Sequence, residues 1–137
     1  MRKDKLRIGY WVNYHISRDR HILQGKIKSL GKSRAIVGKD FARYTDITPI
    51  YLTDEILNQT NLERKEFLFQ FFDGRYILAR GLVGYGIWIS NKEDIPYKTE
   101  HMKNILYLHE LQDTYLELTG MELTRDNNPI SIDRLVK

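Results

Sequence analysis

The chain has 137 residues, of which 42% are hydrophobic and 29% charged, so it fits one compact domain or two very small ones. It contains no cysteine, which excludes disulfides and thiolate metal sites and suits a reducing cytoplasm. No apolar run approaches the roughly 20 residues needed to span a bilayer, and the basic start MRKDKLRIGYWVNY is followed by no signal-peptide core.

The net charge of +4 hides an asymmetry. Residues 1–52 hold 12 Lys and Arg against 4 Asp and Glu, net +8, whereas residues 53–137 hold 10 against 14, net −4. Either the first half meets an anion or the two halves attract each other.

Residues 6–52 read as short strands separated by turns. Ile8–Tyr14 is aromatic and β-branched, and Ile22–Leu30 alternates, with Gly25 expected at a bulge or bend. Arg34–Gly38 follows. In DFARYTDITPIYL the apolar positions are Phe41, Tyr44, Ile47 and Ile50, and Pro49 confines the last segment to an edge or strand end. Four or five strands in about 45 residues predict a small SH3-like β-barrel over residues 1–52.

Residues 53–122 predict an α-β-β-β-α unit. Thr53 is the expected N-cap of a short helix ending near Asn61, with Asp54 and Glu55 in its first turn and Ile56 and Leu57 turned inward. Asp73-Gly74 between two alternating apolar runs marks a hairpin, because a type I′ turn needs positive φ at both central residues. Alternation groups Phe67, Phe69 and Phe71 on one face and Leu68, Gln70 and Phe72 on the other. Tyr85–Ser90 supplies a third strand, and NKEDIP a loop. The last helix is expected from about Lys98 to Thr119, with Ile105, Leu108, Leu111, Tyr115 and Leu118 on the arc facing the sheet and Gly120 as its stop. Residues 123–137 read as a polar tail, whose ISIDRLV leaves two options open, an edge strand or a mobile end.

LRIGYWVNY at the start, DITPIYLTDEIL in the middle and LHELQDTYLELTGMEL near the end together resemble a group of small uncharacterised proteins of Bacteroidetes phages, prophages and mobile elements. The three stretches occur in the same order over nearly the whole chain. The resemblance implies a barrel followed by α-β-β-β-α and a mobile-element origin, and it brings no catalytic residues. The chain departs from the group in having Tyr10 where Asn is common, and in its longer tail after Glu122.

The chemistry legible in the motifs is sparse. His109-Glu110 looks like the opening of HExxH, but Asp113 stands where the second His belongs. No metal and no cofactor are expected. Gln112 falls inside the apolar arc, where a buried amide must find partners. It either bonds backbone or joins His109 in a polar patch beside a ligand cleft. There is no nucleophile elbow and no Walker loop, and the glycines of GLVGYG sit between strands, so no enzyme is expected.

The richest pattern is basic and aromatic. Arg18, Arg20, Lys26, Lys28 and Arg34 accompany Tyr10, Trp11 and Tyr14, the combination that neutralises phosphates and stacks bases. Trp11 can instead belong to the barrel core, since Trp11 and Asn13 alternate with Tyr10, Val12 and Tyr14. The resulting expectation is a non-catalytic phage or mobile-element accessory protein of the host cytoplasm that binds nucleic acid through its basic half. The rival readings are a host-interaction protein that sequesters a signalling nucleotide or blocks a host protein, and an assembly adaptor.

Overall fold

The described residues are 1–16, 21–91 and 98–126 of a computed structural model, and they fall into two units, Met1–Ile50 and Tyr51–Asp126. Each has its own antiparallel sheet, and the second ends in a helix, so the chain is of the mixed α+β class.

The first sheet comprises β1 (Trp11–Tyr14), β2 (Leu23–Leu30), β3 (Arg34–Val37), β4 (Asp40–Arg43) and β5 (Ile47–Pro49), in the order β4-β3-β2-β1-β5. A 3₁₀ turn, Tyr44–Asp46, precedes β5. Side-chain alternation sends Val12, Tyr14, Ile27, Ala35, Val37, Ala42 and Ile47 to one face, where Leu6 and Tyr10 complete a buried cluster.

Two expectations are corrected in this unit. Gly25 is not a bulge: it pairs regularly with Val12, and a Cβ there would lie 2.9 Å from Val37 Cγ1 and 3.0 Å from Tyr14 Cε1. The bulge falls instead between Ile27 and Ser29. Nor does the sheet close into a barrel, since no pairing joins β4 to β5 among the described residues. The 3₁₀ turn carries the chain between these two edges, and the carbonyls of Tyr44 and Ile47 accept from the Met1 ammonium at 2.8 and 2.5 Å.

The second unit runs α1 (Asp54–Asn58), β6 (Glu63–Lys65), β7 (Leu68–Phe71), β8 (Tyr76–Arg80), β9 (Tyr85–Asn91), β10 (Lys98–Ile105) and α2 (Leu108–Thr119). Thr53 caps α1 as expected, its hydroxyl accepting from Ile56 N at 3.1 Å. Tyr85 of β9 donates to the Asp54 carboxylate, tying α1 to the sheet. The sheet has five strands in the order β10-β9-β8-β7-β6, two more than the sequence predicts. Phe69, Phe71, Tyr76, Leu78 and Ile87 share its buried face by register, and the rings of Phe71 and Tyr115 of α2 meet at 5.1 Å.

The expected type I′ turn is present, with φ of 56° at Asp73 and 76° at Gly74 and Arg75 N donating to Phe72 O at 3.1 Å. Phe72 also has positive φ, so the loop spans Phe72–Arg75. Phe67 does not join Phe69 and Phe71 inside: it sits in the tight turn between β6 and β7 and is 91% exposed.

The largest correction concerns residues 98–107. Lys98–Ile105 is a strand paired with β9, with a register shift between His101 and Lys103, and the helix starts only at Leu108. The Glu110 carboxylate reaches back to accept from Leu106 N and Tyr107 N at 3.0 and 2.9 Å, which fixes that start. Gly120 ends α2 as expected, with φ 74° and its N–H donating to Leu116 O. Residues 123–126 are not a free tail. Leu123 and Arg125 are buried, and Asn61 N and Asp126 N donate to Thr124 O and Gln59 O. ISIDRLV and most of NKEDIP lie outside the described residues. Among those described, no helix is long and apolar enough to cross a membrane.

Two glycines with similar φ separate backbone strain from crowding. A Cβ on Gly84 (φ 69°) would clash with Ile105 O, whereas one on Gly120 (φ 74°) meets nothing within 4 Å. Gly120→Ala is expected to cost about 1 kcal/mol, the left-handed penalty alone. Gly84→Ala is expected to cost about 3 kcal/mol or more, because the β9–β10 contact must also move. Urea unfolding midpoints of the two variants measure the difference.

Candidate functional site

Register decides which candidate residues share a surface. Trp11 pairs with Lys26, Ser29 with Ile36, Ile36 with Phe41, and Arg34 with Arg43, and cross-strand partners project from the same side of a sheet. The side opposite the buried cluster of the first unit therefore carries Lys26, Arg34, Phe41 and Arg43, all exposed. Lys28, at the bulge, is exposed beside them. A bulge sets two residues against one, which turns Lys28 and Ser29 out together.

Among the described residues of this unit, Arg43 is the one cation of the face that a carboxylate pairs. Asp40 is turned to the interior, where it accepts from Tyr14 Oη at 2.6 Å. Asp46 is buried and holds Arg43 Nε and His15 Nε2, each at 3.0 Å. Asp4 pairs with Arg2 at 2.9 Å. Lys26, Lys28 and Arg34 thus stay at the surface without a carboxylate partner among the described residues, and Arg34 lies over the Phe41 ring, 4.8 Å from its centroid.

The aromatic candidates fare differently. Tyr10 and Tyr14 are buried in the cluster, so neither ring is open for stacking. Burial, together with the hydrogen bond to Asp40 and its charge, pushes the Tyr14 phenol well above its ordinary value. Trp11 lies beside Lys26 on the outward side but is only 9% exposed, and it is not part of the interior cluster. Arg18 and Arg20 lie outside the described residues.

Phe41 is the functional candidate that sequence reasoning missed. It reads as a core residue by size, yet it is 59% exposed, and its neighbour Ala42 is buried against Ala35. The signal was the alternation of Asp40-Phe41-Ala42-Arg43, in which Phe41 must share a side with Arg43 if Ala42 faces the core.

His109 and Gln112 belong to the second unit. Gln112 is 1% exposed and so contributes interior rather than surface. His109 is half-buried and stacks on Tyr107 with centroids 5.6 Å apart and planes at 13°. Tyr107 in turn meets Tyr51 at 5.0 Å. Of the two alternatives for this pair, burial of Gln112 speaks against a polar patch shared with His109, which instead joins a short row of rings. Among the described residues, no cluster of three His, Cys, Asp or Glu side chains could hold a metal ion. Comparison of the chain with family models, with curated proteins and with solved structures finds no match.

Burial pushes the His109 imidazole below its ordinary value of 6.5, against a weaker upward pull from Glu110 and Asp113. The unfolded chain then binds the proton more readily than the folded one, so folding stability falls as the pH drops through about 6.5. Thermal unfolding followed from pH 7.5 to 5.5 is expected to show this loss, and His109→Gln is expected to flatten it. An unchanged pH slope in the variant would assign the loss to other groups.

Proposed function

We propose that the protein is a non-catalytic accessory protein of a phage or mobile element, acting in the host cytoplasm, and that it binds nucleic acid through the outward face of its first unit. The observation that carries this reading is the cluster of Lys26, Lys28 and Arg34 on one side of a sheet, with the carboxylates among the unit's described residues engaged elsewhere. Clustered cations of this kind attract phosphates and release their counterions. The strand order β4-β3-β2-β1-β5, with a 3₁₀ turn ahead of the last strand, supports an SH3-like reading of this unit. The phage origin rests on the three sequence stretches quoted above.

Three phosphate contacts set the expected salt dependence. The slope of log K against log salt should be about −2 on single strands and about −3 on duplex. Lys26→Ala and Arg34→Ala should each flatten it by about one without lowering the melting temperature, since both side chains are exposed. Fluorescence anisotropy with labelled DNA and RNA oligonucleotides at 25–200 mM salt reads both quantities. Absence of binding to either at the lowest salt rules the reading out.

A second reading, contact with a host protein, is favoured by a different observation. Phe67, Leu82 and Val83 are 91%, 106% and 74% exposed at two hairpin turns of the second unit. The register Leu68↔Ala79 and Arg80↔Tyr85 puts those turns at the same end of the sheet. Polar turn formers are the usual residues there, and clustered apolar side chains mark contact surfaces. Phe67→Ser with Leu82→Ser is expected to abolish a protein contact made here while leaving the oligonucleotide salt slope unchanged. Cross-linking in a host lysate, comparing the two chains, checks it.

A further inference from the structure

The nucleic-acid reading leaves open which form of nucleic acid the face takes, and the geometry of the face bears on that. Strands lie about 4.8 Å apart, so the four strands from β4 to β1 span roughly 14 Å, the outward Trp11 of β1 being itself covered. That is wider than the major groove of about 12 Å, so the sheet cannot enter a duplex groove broadside. Duplex contact would be confined to phosphates and would leave an aromatic side chain in water.

An aromatic side chain is nonetheless placed there. Phe41 lies across from Ile36, keeps 59% of its surface open, and has the Arg34 guanidinium 4.8 Å from its ring centroid. The interior does not need this ring, because the position facing the core is filled by the buried Ala35–Ala42 pair. A ring with an adjoining guanidinium presents a π-surface and a fixed positive charge to a single nucleotide, with the base on the ring and the phosphate at the cation. Lys28 and Lys26 continue the positive charge across β2, two residues apart, about 6.6 Å along the strand. The face therefore combines a backbone track with one stacking platform. Base faces are available to such a platform only where the bases are unpaired.

We propose that the ligand of this face is a single-stranded nucleic acid, held by stacking of one base on Phe41 beside Arg34 and by phosphate contacts to Lys26 and Lys28. This rests on the nucleic-acid reading of the same face. The test uses the full chain, a labelled 12-nucleotide single strand as DNA and as RNA, and the duplex of the same sequence. The single strand is expected to bind about tenfold more tightly than the duplex in 50 mM salt. Phe41→Ala is expected to weaken single-strand binding about tenfold with the salt slope unchanged, while Phe41→Trp restores it. Duplex binding should be indifferent to both changes. Melting temperatures of the variants, measured alongside, separate loss of contact from loss of fold. Equal affinity for single strand and duplex, or a Phe41→Ala variant that binds as the parent does, overturns the single-strand assignment and leaves the basic face standing. Failure of every oligonucleotide to bind overturns both.

Discussion

The hydrogen bond from Tyr14 to Asp40 organises the first unit. It starts on β1 and ends on β4, at 2.6 Å, and the ring passes over β2 at the one place where a glycine leaves room. Any side chain on Gly25 would meet both Tyr14 and Val37. Register places Tyr14 and Asp40 on the inner side of the sheet, and the bond holds them there, Tyr14 away from any stacking ligand and the Asp40 carboxylate away from Lys26, Lys28 and Arg34. One part-buried polar contact thus links the packing on one side of the sheet to the sign of the charge on the other. Such a contact is costly to break from either end, since the partner left behind is a part-buried polar group that has lost its hydrogen bond.

Local signals with a direct backbone meaning were legible in the sequence. Thr53 before Asp54 and Glu55 gave the start of α1, Asp73-Gly74 gave the hairpin, and Gly120 gave the end of α2. Strands without an apolar face were not. β6 is Glu63-Arg64-Lys65, exposed throughout, and it is a strand because it pairs with β7, not because it buries anything. β10 is similar: from Thr99 to Asn104 every residue is exposed, and only Ile105 is buried. Its register shift at His101–Lys103 breaks the alternation, leaving Met102 and Ile105 three apart, which imitates a helix. Both are edge strands of their sheet, and charged, polar edges are how sheets avoid pairing with other chains. The feature that hides these strands from a hydrophobic pattern is therefore the one that suits them to the edge.

The site was legible in its charges and not in its aromatics. Lys26, Lys28 and Arg34 stand where alternation puts them, because lysine and arginine have only one acceptable side of a half-buried strand. Aromatic residues fit either side, and here size misled. Tyr10 and Tyr14 turned inward, while Phe41 turned outward beside an alanine pair. Four-residue strands offer too few alternations to settle such a choice by themselves. The neighbouring strand settles it, through pairings that connect residues far apart in the chain.

The charges on the outward face also explain its internal order. Arg34 and Arg43 are direct cross-strand partners, an arrangement that disfavours the sheet by a few tenths to about 1 kcal/mol when two like charges face each other. The two guanidiniums turn apart. Arg43 bends toward the 3₁₀ turn and donates its Nε–H to Asp46, a buried carboxylate that also holds His15. Arg34 leans the other way, over the Phe41 ring. The repulsion is relieved by a carboxylate on one side and by a π-face on the other, and these are not equivalent. An ion pair neutralises Arg43, whereas an aromatic ring stabilises a cation by roughly 0.5–1 kcal/mol at an exposed site without cancelling its charge. The asymmetry leaves Arg34 oriented by the ring at the start of β3 while Arg43 is held by a carboxylate, so two adjacent arginines of one face are fixed by different physics.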